Sequence, residues 1–191
     1  AFEIYNVWYI HASRGCPYNC QFCSSHFYWN GKWRTKSPLN IVSELERLKT
    51  KYGIGWVTFT DDCFVANHRR VKEICNEIIR RSLNIKWDCY GYVKDVDKDI
   101  LRLMAKSGCS VVHYGIESGS ERILRSINKN FTKAQIIRAI EDTKEAGMKA
   151  TASFMVGNPG ESKQTVAETI DLLYKIKADQ YSVGKAVVLP G

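Results

Sequence analysis

The chain has 191 residues, of which 45% are hydrophobic and 25% are charged, and it carries a net charge of +8. This length and composition are typical of one globular domain with a substantial core, and they exclude a fibrous or intrinsically disordered protein. No apolar run approaches the length of a membrane span and no signal peptide opens the chain, so we expect no membrane span.

The excess of basic residues, 28 against 20 acidic ones, would favour an anionic partner. These residues are scattered along the chain and form no long block of like charge. The pattern favours a solvated basic surface, so a nucleic-acid partner stays open but is not favoured.

Strand-like and helix-like segments alternate along the chain. Strands are predicted at residues 5–13, 55–60, 85–90, 109–116, 149–156 and 180–188. Helices are predicted between them, with start signals at Ser37, Asn67, Asp97, Ser120 and Thr132 and a last helix after Glu161. Such an alternation requires parallel pairing with right-handed crossovers. The strands are nearly all apolar, which predicts that both faces of the sheet are covered, and periodicity alone fits either an open sheet or a barrel.

Two segments carry more specific expectations. Residues 24–37 show no apolar period and are rich in aromatic and basic side chains, so we predict a surface loop or a substrate lid. The last helix is predicted to face inward with Val166, Ile170, Leu173 and Ile176.

The stretch from Ser13 to Ser24 holds three cysteines, Cys16, Cys20 and Cys23, in the spacing C-x3-C-x2-C. Thiolate is the soft ligand that suits zinc and iron–sulfur clusters, so three of them on one loop predict a metal site. No fourth cysteine or histidine follows at motif spacing, and three ligands leave one metal position open for a substrate. A zinc knuckle or a group of unpaired structural cysteines is the alternative.

The other four cysteines, Cys63, Cys75, Cys89 and Cys109, fall inside strand or helix patterns. They do not form the pattern of a disulfide framework, so we expect reduced thiols and a cytoplasmic protein. Cys75 is predicted to face the core, whereas Cys63 and Cys89 lie at or near strand ends, from which either could reach a cavity.

An aromatic residue, Phe22, stands just before the last cysteine, and with it the loop resembles that of the radical S-adenosylmethionine (radical SAM) superfamily. The resemblance covers nearly the whole chain and implies an α/β fold, a partial (β/α)6 TIM-like barrel of parallel strands. It implies a 4Fe–4S cluster on Cys16, Cys20 and Cys23, with the fourth iron chelated by the amino and carboxylate groups of S-adenosylmethionine.

The resemblance also implies the chemistry. An electron donor such as flavodoxin or ferredoxin would reduce the cluster, and S-adenosylmethionine would be cleaved to a 5′-deoxyadenosyl radical that abstracts hydrogen from a small-molecule substrate. In such chemistry the cofactor carries the difficult step, and the protein supplies placement.

Polar or glycine-containing turns follow four of the predicted strands, at the ends where the loops of a parallel α/β fold converge on one face. Apart from the cysteine loop, these turns are Asp61-Asp62, the run 117–120 (Glu-Ser-Gly-Ser) and the run 157–161 (Gly-Asn-Pro-Gly-Glu). Their recurrence at strand ends predicts a common site more specifically than any one of them does.

The resemblance assigns two carboxylates at these turns. Asp61 or Asp62 stands where relatives hold the methionine amino group, although relatives often have Gly-Gly-Glu and the run here is Thr-Asp-Asp. An aspartate pair that caps a turn is the alternative. Glu117 stands where relatives bind the ribose hydroxyls.

Other residues have a smaller claim to the cofactor. Val156 and Gly157 stand where relatives approach adenine. Phe22 and Ser118 are further candidates for cofactor binding. For the methionine carboxylate the candidate is Arg122, with Arg125 and Lys129 as alternatives. His113 and Tyr114 are weaker candidates still, since a histidine on a strand is more often a core residue than a ligand.

The run from Glu117 to Ser120, followed by Ile123-Leu124 and by Ile127-Asn128-Lys129, resembles cobalamin-dependent radical methylases and anaerobic magnesium-protoporphyrin ester cyclases. This resemblance implies methylation or ring cyclisation, with cobalamin held by a domain that is not in this chain. A methylthiotransferase acting on RNA or protein is an alternative, although such enzymes usually carry glutamine at the position of Glu117. An iron–sulfur or zinc module for electron transfer, without catalysis, is the alternative outside the enzymes.

We expect residues 1–191 to form a single radical SAM core domain. The chain begins with Ala1 and ends at Gly191 just after a strand-like run, so we expect it to be a fragment of a longer protein.

Overall fold

The structure is a computed structural model, and it describes residues 7–187. In chain order the strands are β1 (Val7–Ile10), β2 (Ser13–Arg14), β3 (Arg34–Thr35), β4 (Trp56–Phe59), β5 (Lys86–Gly91), β6 (Cys109–Glu117), β7 (Lys149–Val156) and β8 (Gln180–Lys185). Six of them form one parallel sheet in the order β1-β4-β5-β6-β7-β8, and β2 and β3 form a separate antiparallel pair. A doubly wound open sheet would reverse its strand order part-way, whereas sequential order is that of a barrel wall. The predicted α/β fold, a partial (β/α)6 TIM-like barrel, is confirmed.

Except for the first of them, the helices begin where the start signals predict them. They are α1 (Ser25–Tyr28), α2 (Pro38–Tyr52), α3 (His68–Arg80), α4 (Lys98–Lys106), α5 (Glu121–Ser126), α6 (Lys133–Glu145) and α7 (Lys163–Ile176), with short 3-10 turns at Phe64–Ala66 and Val93–Asp95. The Ser37 hydroxyl accepts the N–H of Asn40 at the start of α2, and Thr132 and Gln135 cap α6 reciprocally. These caps satisfy backbone N–H groups that a helix leaves without partners, so the helix starts are determined locally.

The sheet is covered by helices on one face only, which corrects the prediction that both faces are covered. On β4, Val57 and Phe59 are fully buried toward the helices, whereas Thr58 between them is partly exposed. On β6, Tyr114 is buried and its hydroxyl lies 2.8 Å from that of Thr143 on α6, whereas His113 is partly exposed. The partly exposed side chains face the barrel interior. We call this side of the sheet the inner face.

Three local predictions also need correction. Residues 24–37 are not only a loop, because α1 forms there and β3 pairs with β2. The first strand ends at Ile10 and not at residue 13, since β2 leaves the main sheet; residues 5 and 6 lie outside the described range. The last strand, predicted over 180–188, ends at Lys185, and residue 188 is likewise outside that range.

Helix α7 buries only part of the predicted stripe: Ile176 is buried as predicted, and Val166 and Leu173 are partly buried. Ile170 is 46% exposed, whereas Thr165, Thr169, Leu172 and Ile176 are the buried residues. A hydrogen bond explains this orientation. The Thr169 hydroxyl accepts the N–H of Gly119 at 2.9 Å, so the side of the helix that carries the threonines faces the turn after β6.

Candidate active site

The cysteine loop is held against the rest of the protein by backbone contacts. Gly15 has φ +82°, and a Cβ there would lie 2.1 Å from the carbonyl oxygen of Lys32, so only glycine lets the loop pass the segment before β3. The N–H of Cys23 donates to the carbonyl of Cys20 at 3.0 Å, and the N–H of Gln21 donates to that of Ile127 at 3.1 Å. The loop is therefore tied to the segment that follows α5.

The three thiols of this loop lie close enough to influence one another. Burial raises the pKa of Cys16 to about 11, and the negative charges of Cys20, Asp62 and Cys23 act in the same direction. Burial also raises the pKa of Cys20, while the nearby Lys129 ammonium opposes this rise. A positive metal group beside these sulfurs would favour their thiolate forms.

The donor set fits an iron–sulfur cluster. All seven cysteines are free, so no disulfide occupies the motif. Within residues 7–187 no three side chains of His, Cys, Asp or Glu form a group that could hold a metal ion by themselves. A 4Fe–4S cluster needs no such group, because each cysteine sulfur binds a different iron. Three soft thiolates without a fourth protein ligand therefore suit a cluster in which one iron has an open position.

Asp61 and Asp62, which follow β4, have different environments. Asp61 is 1% exposed; it accepts the N–H of Ala12 at 2.9 Å and the hydroxyl of Ser13, and it lies 3.6 Å from the Arg70 guanidinium. Asp62 is exposed and accepts the hydroxyl of Ser25 at 2.5 Å. Asp61 therefore joins the end of β4 to the base of the cysteine loop, and Asp62 is the carboxylate that a ligand can reach.

A cavity of about 280 Å³ adjoins Asp62 between the ends of β1 and β4. Its lining comprises His11, Ser13, Arg14, Gly15, Trp29, Thr60 and Asp62. Because Gly15 immediately precedes Cys16, this cavity lies beside the first cysteine of the motif.

Glu117, at the end of β6, forms a buried ion pair. Its backbone has φ +71°, an uncommon conformation for a side chain other than glycine, and its carboxylate lies 3.5 Å from the ammonium of Lys129. Burial raises the pKa of Glu117, and Lys129 opposes the rise. Lys129 also donates to the carbonyl of Gly115 at 2.8 Å, and its ammonium lies 5.8 Å from the ring centre of Phe22, the aromatic residue of the cysteine motif. The carboxylate after β6 and the cysteine loop thus share one cation.

Residues 10–173 match the family model of the radical SAM superfamily. The chain belongs to the radical SAM superfamily. The cofactors of this family are a 4Fe–4S cluster and S-adenosylmethionine, and its members are enzymes, so the alternative of a non-catalytic electron-transfer module is not supported.

Curated radical SAM relatives cover nearly the whole chain. An uncharacterised methyltransferase of Pyrococcus horikoshii is 36% identical over 182 residues, which are 95% of this chain and 40% of the relative. The anaerobic magnesium-protoporphyrin IX monomethyl ester cyclase of Cereibacter sphaeroides is 33% identical over 171 residues, 87% of this chain and 28% of the relative. The chain thus spans less than half the length of these relatives.

A solved structure has the same radical SAM fold. The radical S-adenosylmethionine methyltransferase TsrM of Kitasatospora setae, with cobalamin and a 4Fe–4S cluster bound, superposes with a TM-score of 0.88 at 21% identity. The match covers 96% of this chain and 37% of TsrM. Among the helices of residues 7–187, none has the length and apolarity needed to cross a membrane.

The remaining predicted residues of the radical SAM site have mainly structural contacts. The Ser118 hydroxyl is buried, accepts the N–H of Ser120 at 3.1 Å and lies 3.3 Å from that of Thr169. Arg122 is exposed and donates to the carbonyl of Gly160 at 3.2 Å, which connects α5 to the loop after β7.

The adenine-side candidates lie on the loop after β7. Gly157 has φ +91°, and its N–H donates to Glu161 at 2.5 Å, which shapes the loop. Val156 is half-buried, and its carbonyl accepts the N–H of Ala186 at 2.7 Å.

The other weaker candidates make their contacts with residues outside the pair of Glu117 and Lys129. Tyr114 points to α6, and Arg125 lies on the surface, 3.8 Å from Glu121. Cys89 is fully buried in the core, and Cys63 is buried with its thiol 3.7 Å from Asp95.

Sequence reasoning missed two groups of contacting side chains, and among their members it had named only His113, as a weak candidate for the cofactor site. Tyr18, inside the cysteine motif, donates to Asp95 and stacks on Tyr92 with ring centres 3.9 Å apart. Asp88 and His113 meet on the inner face, 3.3 Å apart. Alternation of polar and apolar residues along β5 and β6 was the signal for the second group, and it was obscured because the strands were interpreted as uniformly apolar.

Proposed function

We propose that this domain is the catalytic core of a radical SAM methyltransferase or ring cyclase. The observation that carries the proposal is that the three free cysteines lie close to the exposed carboxylate of Asp62 and to the pair of Glu117 and Lys129. When bound, the cluster and S-adenosylmethionine supply reductive cleavage and a hydrogen-abstracting radical. The residues of this chain bind these two groups and orient them.

Each part of the site has a distinct role in this proposal. Cys16, Cys20 and Cys23 hold the cluster. Asp62 accepts hydrogen bonds from the methionine ammonium, since it is exposed where Asp61 is fully engaged. Glu117 accepts hydrogen bonds from the ribose hydroxyls, for which its ionised form is the stronger acceptor.

The remaining candidates support these contacts. Lys129 favours the ionised form of Glu117 and also contacts the ring of Phe22. Val156 and Gly157 provide the backbone edge for adenine, and Ser118 and Arg122 hold the loops in place.

The activity of the whole protein is inferred from its relatives. The methyltransferase and the cyclase are 36% and 33% identical to this chain, whereas a putative methylthiotransferase of Methanocaldococcus jannaschii is 28% identical, and this difference supports methylation or cyclisation over methylthiolation. Cobalamin would be held by a domain outside this chain. The net charge of +8 suits an acidic electron carrier such as flavodoxin or ferredoxin, and seven free thiols suit the reducing cytoplasm.

Anaerobic reconstitution tests the proposal. The protein is loaded with iron and sulfide, reduced with dithionite and assayed for 5′-deoxyadenosine in the presence of S-adenosylmethionine. We expect product from the wild type, and loss of both cluster iron and product in Cys20→Ala. Cys75→Ala, a core cysteine on α3, is the matched control and should retain iron. A fully loaded wild-type cluster that releases no 5′-deoxyadenosine would contradict the proposal, and unchanged iron in Cys20→Ala would contradict the ligand assignment.

A further inference from the structure

The inner face of the sheet carries a row of hydrogen-bonded side chains that the cofactor site does not use. Trp56 and Thr58 of β4 donate to Asp88 of β5 at 2.5 and 2.9 Å. His113 of β6 lies 3.3 Å from Asp88 through Nε2 and 2.8 Å from the hydroxyl of Thr151 on β7 through Nδ1. Four neighbouring strands thus contribute to one network, which we call the inner-face row.

The burial of the Asp88 carboxylate indicates that the inner-face row does more than fill space in the sheet. The residue is only 5% exposed, and a buried carboxylate is costly unless donors surround it. On the opposite face of the same strand the neighbouring residues, Trp87 and Cys89, are fully buried members of the core. With Asp88 on Nε2 and Thr151 on Nδ1, the His113 ring is fixed, and 29% of its side chain remains exposed to the barrel interior.

Two exposed tyrosine rings lie on the same face. Tyr90, two residues after Asp88, is 47% exposed, and its ring centre lies 5.2 Å from that of His113. Tyr9 is 71% exposed and pairs with Thr58 in the register of β1 and β4, so both side chains point to the inner face. Exposed aromatic rings on a concave wall, beside a few fixed polar groups, are typical of a small-molecule site.

The inner-face row has a depth in the barrel and a width that suit a small-molecule substrate with several rings. His113 precedes Glu117 by four residues on β6, which places it about 13 Å further from the cofactor end of the strand, at about 3.3 Å per residue. From β1 to β6 the inner face spans four adjacent strands, or about 14 Å at about 4.8 Å per strand. This surface could accommodate several conjugated rings between the tyrosines and the cofactor end.

We propose that the inner-face row, together with Tyr9 and Tyr90, is the substrate site, and that the substrate is a planar conjugated ring system carrying at least one hydrogen-bonding group. The tyrosine rings contact the face of the substrate, and the Thr151 hydroxyl, which His113 holds in place, bonds its polar group. Asp88 is a positioning residue that keeps His113 oriented. This assignment rests on the proposed function, because it places the substrate of the radical reaction.

Equilibrium dialysis on the anaerobically reconstituted protein tests the assignment. The probes are tryptophan and magnesium-protoporphyrin IX monomethyl ester, a small and a large planar ring system, and cyclohexylalanine is the saturated control. We expect at least one planar probe to bind and cyclohexylalanine not to bind. Tyr90→Ala and His113→Phe should each weaken binding about tenfold, whereas Tyr90→Phe, which retains the ring, should stay within about twofold. Tyr174→Ala, 83% exposed on α7, is the matched surface control and should bind like the wild type.

Two results would overturn the assignment. One is the failure of both planar probes to bind, and the other is wild-type affinity in both Tyr90→Ala and His113→Phe. These failures can be distinguished from failure of the proposed function, which is read separately as the absence of 5′-deoxyadenosine from the loaded wild type. Release of 5′-deoxyadenosine together with either result would reject the substrate site alone.

Discussion

The ammonium of Lys129 lies 3.5 Å from the carboxylate of Glu117, and the two side chains are only 8% and 13% exposed. A buried pair of this kind costs desolvation energy, and removal of one partner leaves the other charge uncompensated. The same ammonium contacts the rings of Phe22, Tyr92 and Phe131, with ring centres 5.8, 5.3 and 5.8 Å away. Lys129 therefore connects the turn after β6 to the cysteine loop.

Lys129→Met should lower the free energy of unfolding at neutral pH by about 3–5 kcal/mol, because Glu117 would be buried without a counter-charge. It should also weaken binding of S-adenosylmethionine at least about tenfold, since a neutral Glu117 is a poorer acceptor for hydroxyls. Urea denaturation and equilibrium dialysis measure the two effects. Lys133→Met, which removes an exposed pair with Glu168 at 3.7 Å, is the control and should cost less than about 1 kcal/mol. Equal effects of the two substitutions would contradict the role of Lys129.

The stability deficit of Lys129→Met should shrink at acid pH. Burial raises the pKa of Glu117 above the ordinary value of 4.5, so folding favours its protonated form. Stability from this protonated form is fully present below pH 4.5 and is lost as the pH rises through the folded value. Without Lys129 the folded value should rise further, so urea midpoints measured from pH 4 to pH 8 should diverge from the wild type toward neutral pH. A deficit that does not change with pH would show that lost packing, and not the charge of Glu117, dominates.

Asp61→Asn and Asp62→Asn should affect different properties. Asp61→Asn leaves the Arg70 guanidinium, which is 7% exposed, without its counter-charge and should destabilise the protein by about 3 kcal/mol or more. Asp62→Asn removes an exposed carboxylate, so we expect little change in the urea midpoint but weaker binding of S-adenosylmethionine. Urea denaturation and equilibrium dialysis on both variants check this division. The opposite result, with Asp62→Asn as the destabilised variant, would contradict it.

Gly119→Ala should destabilise the turn after β6. A Cβ at this position would lie 2.5 Å from the carbonyl oxygen of Glu168 and 2.5 Å from the Cα of Thr169, both backbone atoms of α7. Because neither atom can move alone, the helix must shift, and we expect a loss of about 2 kcal/mol or more by urea denaturation. Gly184→Ala is the control, since within residues 7–187 no atom other than those of its chain neighbours lies within 4 Å of the added methyl group. Comparable losses in the two variants would exclude a clash with α7 as the cause.

Glu77 on α3 should stabilise the protein down to low pH. Its hydrogen bonds to Arg80 and Arg81 lower its pKa from 4.5 to about 2. A lowered carboxyl pKa means that the stabilisation is present above pH 4.5 and is lost as the pH falls toward about 2. Glu77→Gln should therefore lower the thermal midpoint at pH 7, and the difference from the wild type should vanish near pH 2. Glu73→Gln, in an exposed pair with Arg69, should show a much smaller difference at pH 7.

The sequence by itself determined features that depend on residues close together in the chain. The cysteine spacing identified the family, the caps at Ser37 and Thr132 located two helix starts, and β7 was predicted over the residues that form it, 149–156. Caps and strand patterns are read within a few residues, because the hydrogen bonds and side-chain periods that produce them are local.

Only the tertiary structure decided which polar side chains are available. Asp61 and Asp62 are indistinguishable by local pattern, yet Asp61 is engaged by Ala12, 49 residues away, whereas Asp62 remains exposed. The pairing of Asp88 with His113 likewise depends on the register of β5 against β6. Such contacts join strands that are distant in the chain. The local pattern of polar and apolar residues does not predict these contacts, because the burial of a polar group depends on which distant residues the fold places next to it.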